Sequence, residues 1–238
     1  MGNSRSKQSR YDFGHTQNDD AMLDRTFDAY ADRYDAWYET EAGKAIFAME
    51  VDCVKPFLLG YGRPYLEIGG GSGRFAQALG VEYGLDPAPA MLPIAEARGM
   101  RVVEGYGEKL PFPGKFFGGV LIVFTLEAVD EPDKVLREAW RVLVPEGGLV
   151  MGMLLKGSPW VAFYEAEAEA GHTIYSKVRF FSSKEIESML QESGFGVVEY
   201  RSTLFQPPGQ SIYQHESSVF GYLQSAGFVA ISCSKQAV

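Results

Sequence analysis

The spacing of apolar residues predicts helices at the start of the chain. Between Ala21 and Leu58, aliphatic and aromatic residues recur three or four positions apart, which gathers their side chains on one helical face. This pattern predicts an aromatic-rich helix in MLDRTFDAYADRYDAWYET and a second helix in GKAIFAMEVDCVKPFL that ends near Pro56. We therefore expect N-terminal helices to cover residues 21–60.

From residue 64 onwards, short apolar runs alternate with amphipathic stretches. Strands are predicted in PYLEIG, VEYGLD, RVVEG, GGVLIVFTL and LVMGMLL, with helices between them. The run GGVLIVFTL is typical of a central parallel strand, because helices cover both faces of such a strand. Two later runs, FGVVEYRSTLF and GFVAISCSK, supply two closing strands. The pattern predicts an α/β, doubly wound, mostly parallel sheet of seven strands with helices on both faces.

The alternation stops after the fifth predicted strand. Residues 156–181 show no strand pattern and carry Trp160, Phe163, Tyr164 and Tyr175. We predict an insertion that acts as a lid or borders a substrate pocket, and the alternative is that these aromatic residues form the core of the insertion. The stretch SSKEIESMLQESG then predicts a helix with a capping serine and a glutamate at the matching position.

Composition and charge narrow the class of protein. The chain has 238 residues, of which 46% are hydrophobic and 22% charged, as expected for a globular domain. Residues 1–20 are polar and aperiodic, so we predict a disordered tail followed by one domain over residues 21–238. The formal net charge of -9 disfavours nucleic acids and anionic membranes as partners, because both carry charge of the same sign.

Cysteine usage and hydropathy indicate a cytoplasmic protein, and the negative net charge favours small molecules or proteins as its partners. Cys53 and Cys233 are far apart, so neither a disulfide framework nor a cysteine-based metal site is expected. No apolar run approaches the roughly 20 residues of a membrane-spanning helix. The sequence MGNSRS matches a short myristoylation pattern at Gly2, and an ordinary polar tail is the alternative.

A glycine-rich turn follows the first predicted strand. The stretch EIGGGSGRF places glycine at Gly69, Gly71 and Gly73, with Glu67 two positions before the first of them. A P-loop requires Lys and Ser or Thr after its last glycine, and the dinucleotide fingerprint requires glycine at its sixth position, where Arg74 stands. The turn therefore favours a ligand without phosphates, and a turn that binds nothing is the alternative.

Two further segments point to a nucleoside. Asp86 ends the next predicted strand 17 residues after Gly69, close to the offset at which an acid reaches ribose hydroxyls in folds of this topology. The segment GYGEKLPFPGKFF follows the third predicted strand and offers an apolar, proline-containing wall for a flat ring.

Together with LEAVDEPDKVLREAWRVLVPEGGLVMG, these segments resemble the class I, Rossmann-like S-adenosylmethionine-dependent methyltransferases, in the small-molecule group that includes ubiquinone and menaquinone biosynthesis enzymes. The resemblance covers about residues 22–205. It implies S-adenosylmethionine as cofactor, S-adenosylhomocysteine as product and a small-molecule methyl acceptor.

The resemblance also implies where the cofactor binds. Glu67 and the backbone of Gly69, Gly70 and Gly71 would border the methionine part, and Asp86 would accept both ribose hydroxyls. The other residues implied at the cofactor are Gly73, Pro87, Met91, Tyr106, Gly107, Glu108, Leu110, Phe124, Thr125 and Tyr34. Among these, residues 106–108 would bracket the adenine. Tyr106 replaces a frequent acid of the family, so stacking would replace a hydrogen bond there.

Methyl transfer from an activated donor needs no covalent enzyme intermediate, so the expected mechanism is in-line displacement with positioning and water exclusion. If the acceptor needs a base, the candidates are Glu127, His172, Tyr34 and Tyr164. Two alternatives remain at this point. One is a non-catalytic module that keeps the fold for binding or regulation. The other is a nicotinamide-dependent oxidoreductase, which Arg74 disfavours.

Overall fold

The computed structural model describes residues 33–172 and 175–236. Eight strands are present in that part of the chain: β1 Tyr65–Ile68, β2 Tyr83–Asp86, β3 Arg101–Glu104, β4 Phe117–Val123, β5 Leu143–Met153, β6 Phe195–Thr203, β7 Val219–Phe220 and β8 Phe228–Lys235. The helices are α1 Glu41–Leu58, α2 Arg74–Leu79, α3 Leu92–Ala97, α4 Pro132–Val142, α5 Pro159–Glu169 and α6 Ser183–Glu192. Short 3₁₀ turns occupy Leu126–Ala128 and Tyr175–Lys177.

The strands form one sheet in the order β3-β2-β1-β4-β5-β8-β6-β7. The first five strands are parallel, β8 is antiparallel to β5 and β6, and β7 is antiparallel to β6. The predicted doubly wound, mostly parallel sheet is therefore confirmed, with one strand more than the seven expected. The additional strand is β7, which has two residues and is too short to show a hydrophobic period.

Two hydrophobic cores lie on opposite faces of this sheet. In β4, Leu121 and Val123 face one core, whereas Val120 and Ile122 face the other, because side chains alternate along a strand. Helices α1, α2, α3 and α5 cover the first core, and α4 and α6 cover the second. All seven residues of β4 are buried, as its uninterrupted apolar run predicts.

The N-terminal helices are described in part. Residues 33–37 are helical, and α1 begins after Thr40, whose side chain accepts a hydrogen bond from the Gly43 N–H. The end of α1, predicted near Pro56, lies two residues further on at Leu58. A proline in the last turn removes one backbone donor only, and the Leu59 N–H still reaches the Lys55 carbonyl. The predicted tail and the helical stretch before residue 33 lie outside the described residues.

The segment after β5 packs its aromatic residues inward. Trp160, Tyr164 and Tyr175 are almost fully buried in the first core, and the Trp160 indole N–H donates to the Gln206 carbonyl at 2.9 Å. The geometry thus matches the second interpretation of this cluster, the core of an insertion. A lid function for residues 156–181 stays a prediction. No helix in residues 33–172 or 175–236 is both long and apolar enough to cross a bilayer.

Candidate cofactor site

A cleft of about 220 Å³ lies at the carboxyl ends of β1, β2 and β4. In the observed strand order, β1 has β2 on one side and β4 on the other, which makes this the switch point where open α/β sheets bind ligands. The described residues that line it are Tyr34, Ile68, Gly69, Gly71, Leu85, Asp86, Pro87, Ala88, Met91, Tyr106, Gly107, Glu108, Val123, Phe124, Thr125, Ala128, Val129 and Asp130.

The glycine turn after β1 forms the floor of the cleft. Gly69 and Gly71 have φ values of 69° and 52°, in the left-handed region that favours glycine. A Cβ added to Gly69 would overlap the Thr125 side chain, so this glycine allows β1 and the end of β4 to approach each other. A Cβ added to Gly71 would meet no protein atom within 4 Å. Gly71 therefore leaves open space beside the backbone of the turn.

Asp86 is anchored by backbone amides at the end of β2. Its Oδ2 accepts a hydrogen bond from the Gly71 N–H at 2.8 Å, and its Oδ1 accepts one from the Ala88 N–H at 2.9 Å. Burial raises the pKa of this carboxyl, although both amide hydrogen bonds act in the opposite direction. The carboxylate is thus fixed in orientation at the edge of the cleft.

Glu67 lies behind the glycine turn. Its side chain is buried in β1 and accepts a hydrogen bond from the Ala76 N–H of α2, while Oε2 has no hydrogen-bond partner among the described residues. Burial raises the pKa of Glu67 well above its usual range. Glu67, Gly70 and Gly73 are not among the residues that line the cleft. Their predicted contacts with the methionine part of a cofactor stay predictions.

The loops after β3 and β4 form the walls. Tyr106, which is 52% exposed, and the adjoining Gly107 and Glu108 stand on one side. On the other side Phe124 has a φ of 53°, which is uncommon for a residue with a side chain. Its N–H donates to the Gly152 carbonyl at 2.9 Å, and its ring lies 5.3 Å from the Phe228 ring, so contacts on both sides hold this backbone conformation.

Leu110 is buried just after the loop 106–108. Its side chain packs in the second core, and its N–H donates to the Glu138 carboxylate of α4 at 2.8 Å. Leu110 is not among the residues that line the cleft, and its predicted contact with the adenine ring stays a prediction. Met91, which was expected at the same ring, does line the cleft.

The charges around the cleft have one sign. Asp86, Glu108 and Asp130 line it, whereas none of its described lining residues is a lysine or an arginine. The sequence predictions missed Ile68, Leu85, Ala88 and Val123 in the lining, and they also missed Ala128, Val129 and Asp130. The only available signal for these three residues was their position shortly after the end of β4.

The four candidate bases lie in different places. Tyr34 lines the cleft, and its hydroxyl is hydrogen-bonded to the Tyr38 hydroxyl at 3.0 Å. Tyr164 is buried in the insertion, 4.4 Å from the Tyr175 ring, and the His172 ring stacks at 4.3 Å on the same Tyr175. Glu127 is buried in the turn after β4. None of these last three residues is among those that line the cleft.

The structure brings together a switch-point cleft, a glycine turn after β1 and an acid that ends β2, which is where α/β folds of this topology bind nucleoside ligands. The sequence matches the methyltransferase domain family over residues 66–151. The fold resembles a Thermotoga maritima structure described as an S-adenosylmethionine-dependent methyltransferase and possible histamine N-methyltransferase. The two share 31% identity with a TM-score of 0.83, over 90% of this chain and 100% of that one.

The sequence relatives include an uncharacterized protein and a methyltransferase. An uncharacterized protein of Mycobacterium tuberculosis is 45% identical over 204 residues, which cover 86% of this chain and 72% of the relative. A demethylmenaquinone methyltransferase of Anoxybacillus flavithermus is 29% identical over 224 residues, which cover 86% of this chain and 94% of the relative. The chain belongs to the class I S-adenosylmethionine-dependent methyltransferases, and S-adenosylmethionine is its cofactor.

Proposed function

We propose that this enzyme transfers a methyl group to a small-molecule acceptor that enters the switch-point cleft beside the cofactor. When bound, S-adenosylmethionine supplies a methyl group that its sulfonium centre already activates. The chain has to orient the acceptor nucleophile in line with that methyl group and keep water out. Methyl transfer by positioning needs no nucleophilic side chain. The described residues that line the cleft include no cysteine, serine, histidine or lysine.

The main support for a cofactor in this cleft is the carboxylate of Asp86, which two backbone N–H groups hold in place. Each of its oxygens already accepts one backbone N–H, and each has a further lone pair for a hydroxyl of the ligand. We assign the ribose hydroxyls to Asp86 and the methionine part to the backbone around Gly71, where the cleft is open. The methionine assignment is supported by the open space at Gly71, where an added Cβ would meet no protein atom within 4 Å.

The remaining cofactor contacts follow from the walls of the cleft. We assign the adenine to the space between Met91 and the loop 106–108, where the exposed Tyr106 ring offers a stacking surface. Phe124 and Thr125 border the opposite end of the cleft, next to the glycine turn. Tyr34 covers the cofactor from the N-terminal side, and it is the candidate base that lines the cleft.

Calorimetric titration with S-adenosylhomocysteine tests the binding assignment. Loss of hydrogen bonds to a charged acceptor costs about 1.5–3 kcal/mol each, so Asp86→Ala should weaken binding by about tenfold or more. The exposed Asp133, in the first turn of α4, provides a matched control, and Asp133→Ala should bind like the wild type. Unchanged affinity in Asp86→Ala would remove the ribose assignment. A wild-type protein that does not bind the ligand at millimolar concentration would overturn the proposal.

The acceptor is tested with methyl-labelled S-adenosylmethionine. The first acceptors to test are a demethylated quinol and an imidazole amine, because the names of two similar proteins contain demethylmenaquinone and histamine. Phenols and thiols follow. We expect label in a small-molecule fraction. Protein and RNA are added to the same screen as alternative acceptors, and label recovered in either of them would contradict a small-molecule acceptor. Binding without transfer to any acceptor would favour the non-catalytic module instead.

A further inference from the structure

The carboxylate of Asp35 is held by three side chains. Its Oδ1 accepts hydrogen bonds from the Ser72 hydroxyl at 2.7 Å, from Arg74 Nε at 2.8 Å and from Arg98 Nη1 at 2.9 Å. Its Oδ2 accepts one from Nη2 of each arginine, both at 2.8 Å. Burial would raise the pKa of Asp35, but these hydrogen bonds hold it well below its usual range. We call Asp35, Ser72, Arg74 and Arg98 the Asp35 latch.

The three partners of Asp35 belong to elements that shape the cofactor site. Ser72 is part of the glycine turn, Arg74 is the first residue of α2 directly after that turn, and Arg98 caps the end of α3. Arg98 Nη1 also donates to the Ser72 carbonyl at 2.6 Å, which ties the turn to α3. The side chains of Asp35, Arg74 and Arg98 are 19%, 14% and 17% exposed. Paired guanidinium and carboxylate groups with this degree of burial are geometrically specific contacts.

The latch also reaches Tyr34, the neighbour of Asp35 that covers the cleft. The Tyr34 side chain packs against Ala88 and Met91 and lines the cleft together with Gly69 and Gly71 of the glycine turn. Its hydroxyl is hydrogen-bonded to that of Tyr38, and the Arg74 guanidinium lies 5.1 Å from the centre of the Tyr38 ring. Arg74 therefore contacts the segment that carries Tyr34 through Asp35 and again through Tyr38.

We propose that Asp35 is a positioning residue for cofactor binding, because the Asp35 latch fixes residues 33–38 to the glycine turn and thereby holds Tyr34 over the cleft. The inference rests on the proposed placement of the cofactor in this cleft. It assigns Arg74 a role that the glycine pattern alone does not show. Arg74, at the sixth position of the turn, attaches the segment that carries Tyr34 to the turn. Release of the cofactor then requires residues 33–38 to separate from the glycine turn, so the Asp35 latch slows dissociation.

A double-mutant cycle separates this positioning role from a purely structural one. The readouts are S-adenosylhomocysteine affinity by calorimetry and the free energy of unfolding, for Asp35→Asn, Tyr34→Ala and the double variant. Asp35→Asn keeps the side-chain shape but removes the charge, and we expect about tenfold weaker binding. Because Asp35 acts through Tyr34, the double variant should bind no more weakly than Tyr34→Ala alone. Glu39 also accepts from Arg74 but is 58% exposed, so Glu39→Gln should change affinity by less than about twofold.

A second variant keeps the test decisive if Asp35→Asn does not fold. Arg98→Lys retains the positive charge but loses the two-pronged contact, so it should bind S-adenosylhomocysteine more weakly and exchange the amide hydrogens of residues 33–40 faster. Additive losses in the double variant, or wild-type affinity in Asp35→Asn or in Arg98→Lys, would overturn the positioning role. Failure of the wild type to bind the ligand would instead overturn the proposed function, so the two failures are distinguishable.

Discussion

Alanine at residue 71 tests whether the glycine turn leaves space for the cofactor. Gly71 has a φ of 52° and Gly99, in the turn between α3 and β3, has a φ of 89°. A Cβ at either position meets no protein atom within 4 Å. Both substitutions therefore place a side chain in the left-handed region, at a cost of about 1–2 kcal/mol, without a steric clash. The difference between them is that Gly71 lines the cleft and Gly99 does not.

The two variants should lose similar stability and differ in affinity. In a chain of this size, 1 kcal/mol corresponds to about 2–4 °C in Tm, so we expect Gly71→Ala and Gly99→Ala each to melt about 2–8 °C below the wild type. The added methyl group at residue 71 lies beside the N–H that donates to Asp86. It should weaken S-adenosylhomocysteine binding by about tenfold or more, which corresponds to about 1.4 kcal/mol. Gly99→Ala should stay within about twofold of the wild type.

Thermal unfolding with and without ligand, followed by calorimetric titration, measures both quantities on the same samples. Equal affinity in Gly71→Ala and Gly99→Ala would show that the cofactor does not lie against this turn. A much larger stability loss in Gly71→Ala would show that the methyl group meets protein, contrary to the open space observed.

Three further substitutions are measured by chemical unfolding, two in or behind the glycine turn and one at the start of α6. Gly69→Ala should cost about 1–3 kcal/mol more than Gly99→Ala, because its Cβ overlaps the Thr125 side chain; equal losses would contradict this. Glu67→Gln should become more stable relative to the wild type as the pH rises above about 5, because the raised pKa keeps the native carboxyl protonated while the unfolded chain ionises, so the wild type loses stability until the pH passes the folded pKa; a pH-independent difference would refute the reasoning. Ser182→Ala should cost about 1 kcal/mol by removing the N-cap of α6, whereas the exposed Ser188→Ala should cost little; equal effects would argue against the cap.

The hydrophobic pattern was sufficient to predict the sheet because β1, β4, the second half of β5 and most of β8 are buried apolar runs bounded by turn residues. Two features depended on longer-range packing and were not visible in the pattern. In the sequence, Arg74 indicated only that a phosphate-containing ligand is disfavoured. Its partner Asp35 is 39 residues away, and no local spacing connects the two. The hydrogen bond from the Leu110 N–H to Glu138 of α4 joins residues 28 positions apart, so it also has no local signal. Contacts of this kind depend on how helices pack on the sheet.

The acidic lining of the cleft has a consequence for turnover. Methyl transfer converts a sulfonium cation into a neutral thioether, so the spent cofactor has one positive charge less beside Asp86, Glu108 and Asp130. We expect the donor to bind more tightly than the product, and the ratio of the two affinities to fall as salt screens the carboxylates. A ratio independent of ionic strength would contradict this. The same wall that attracts the charged donor thus favours release of the product and limits product inhibition.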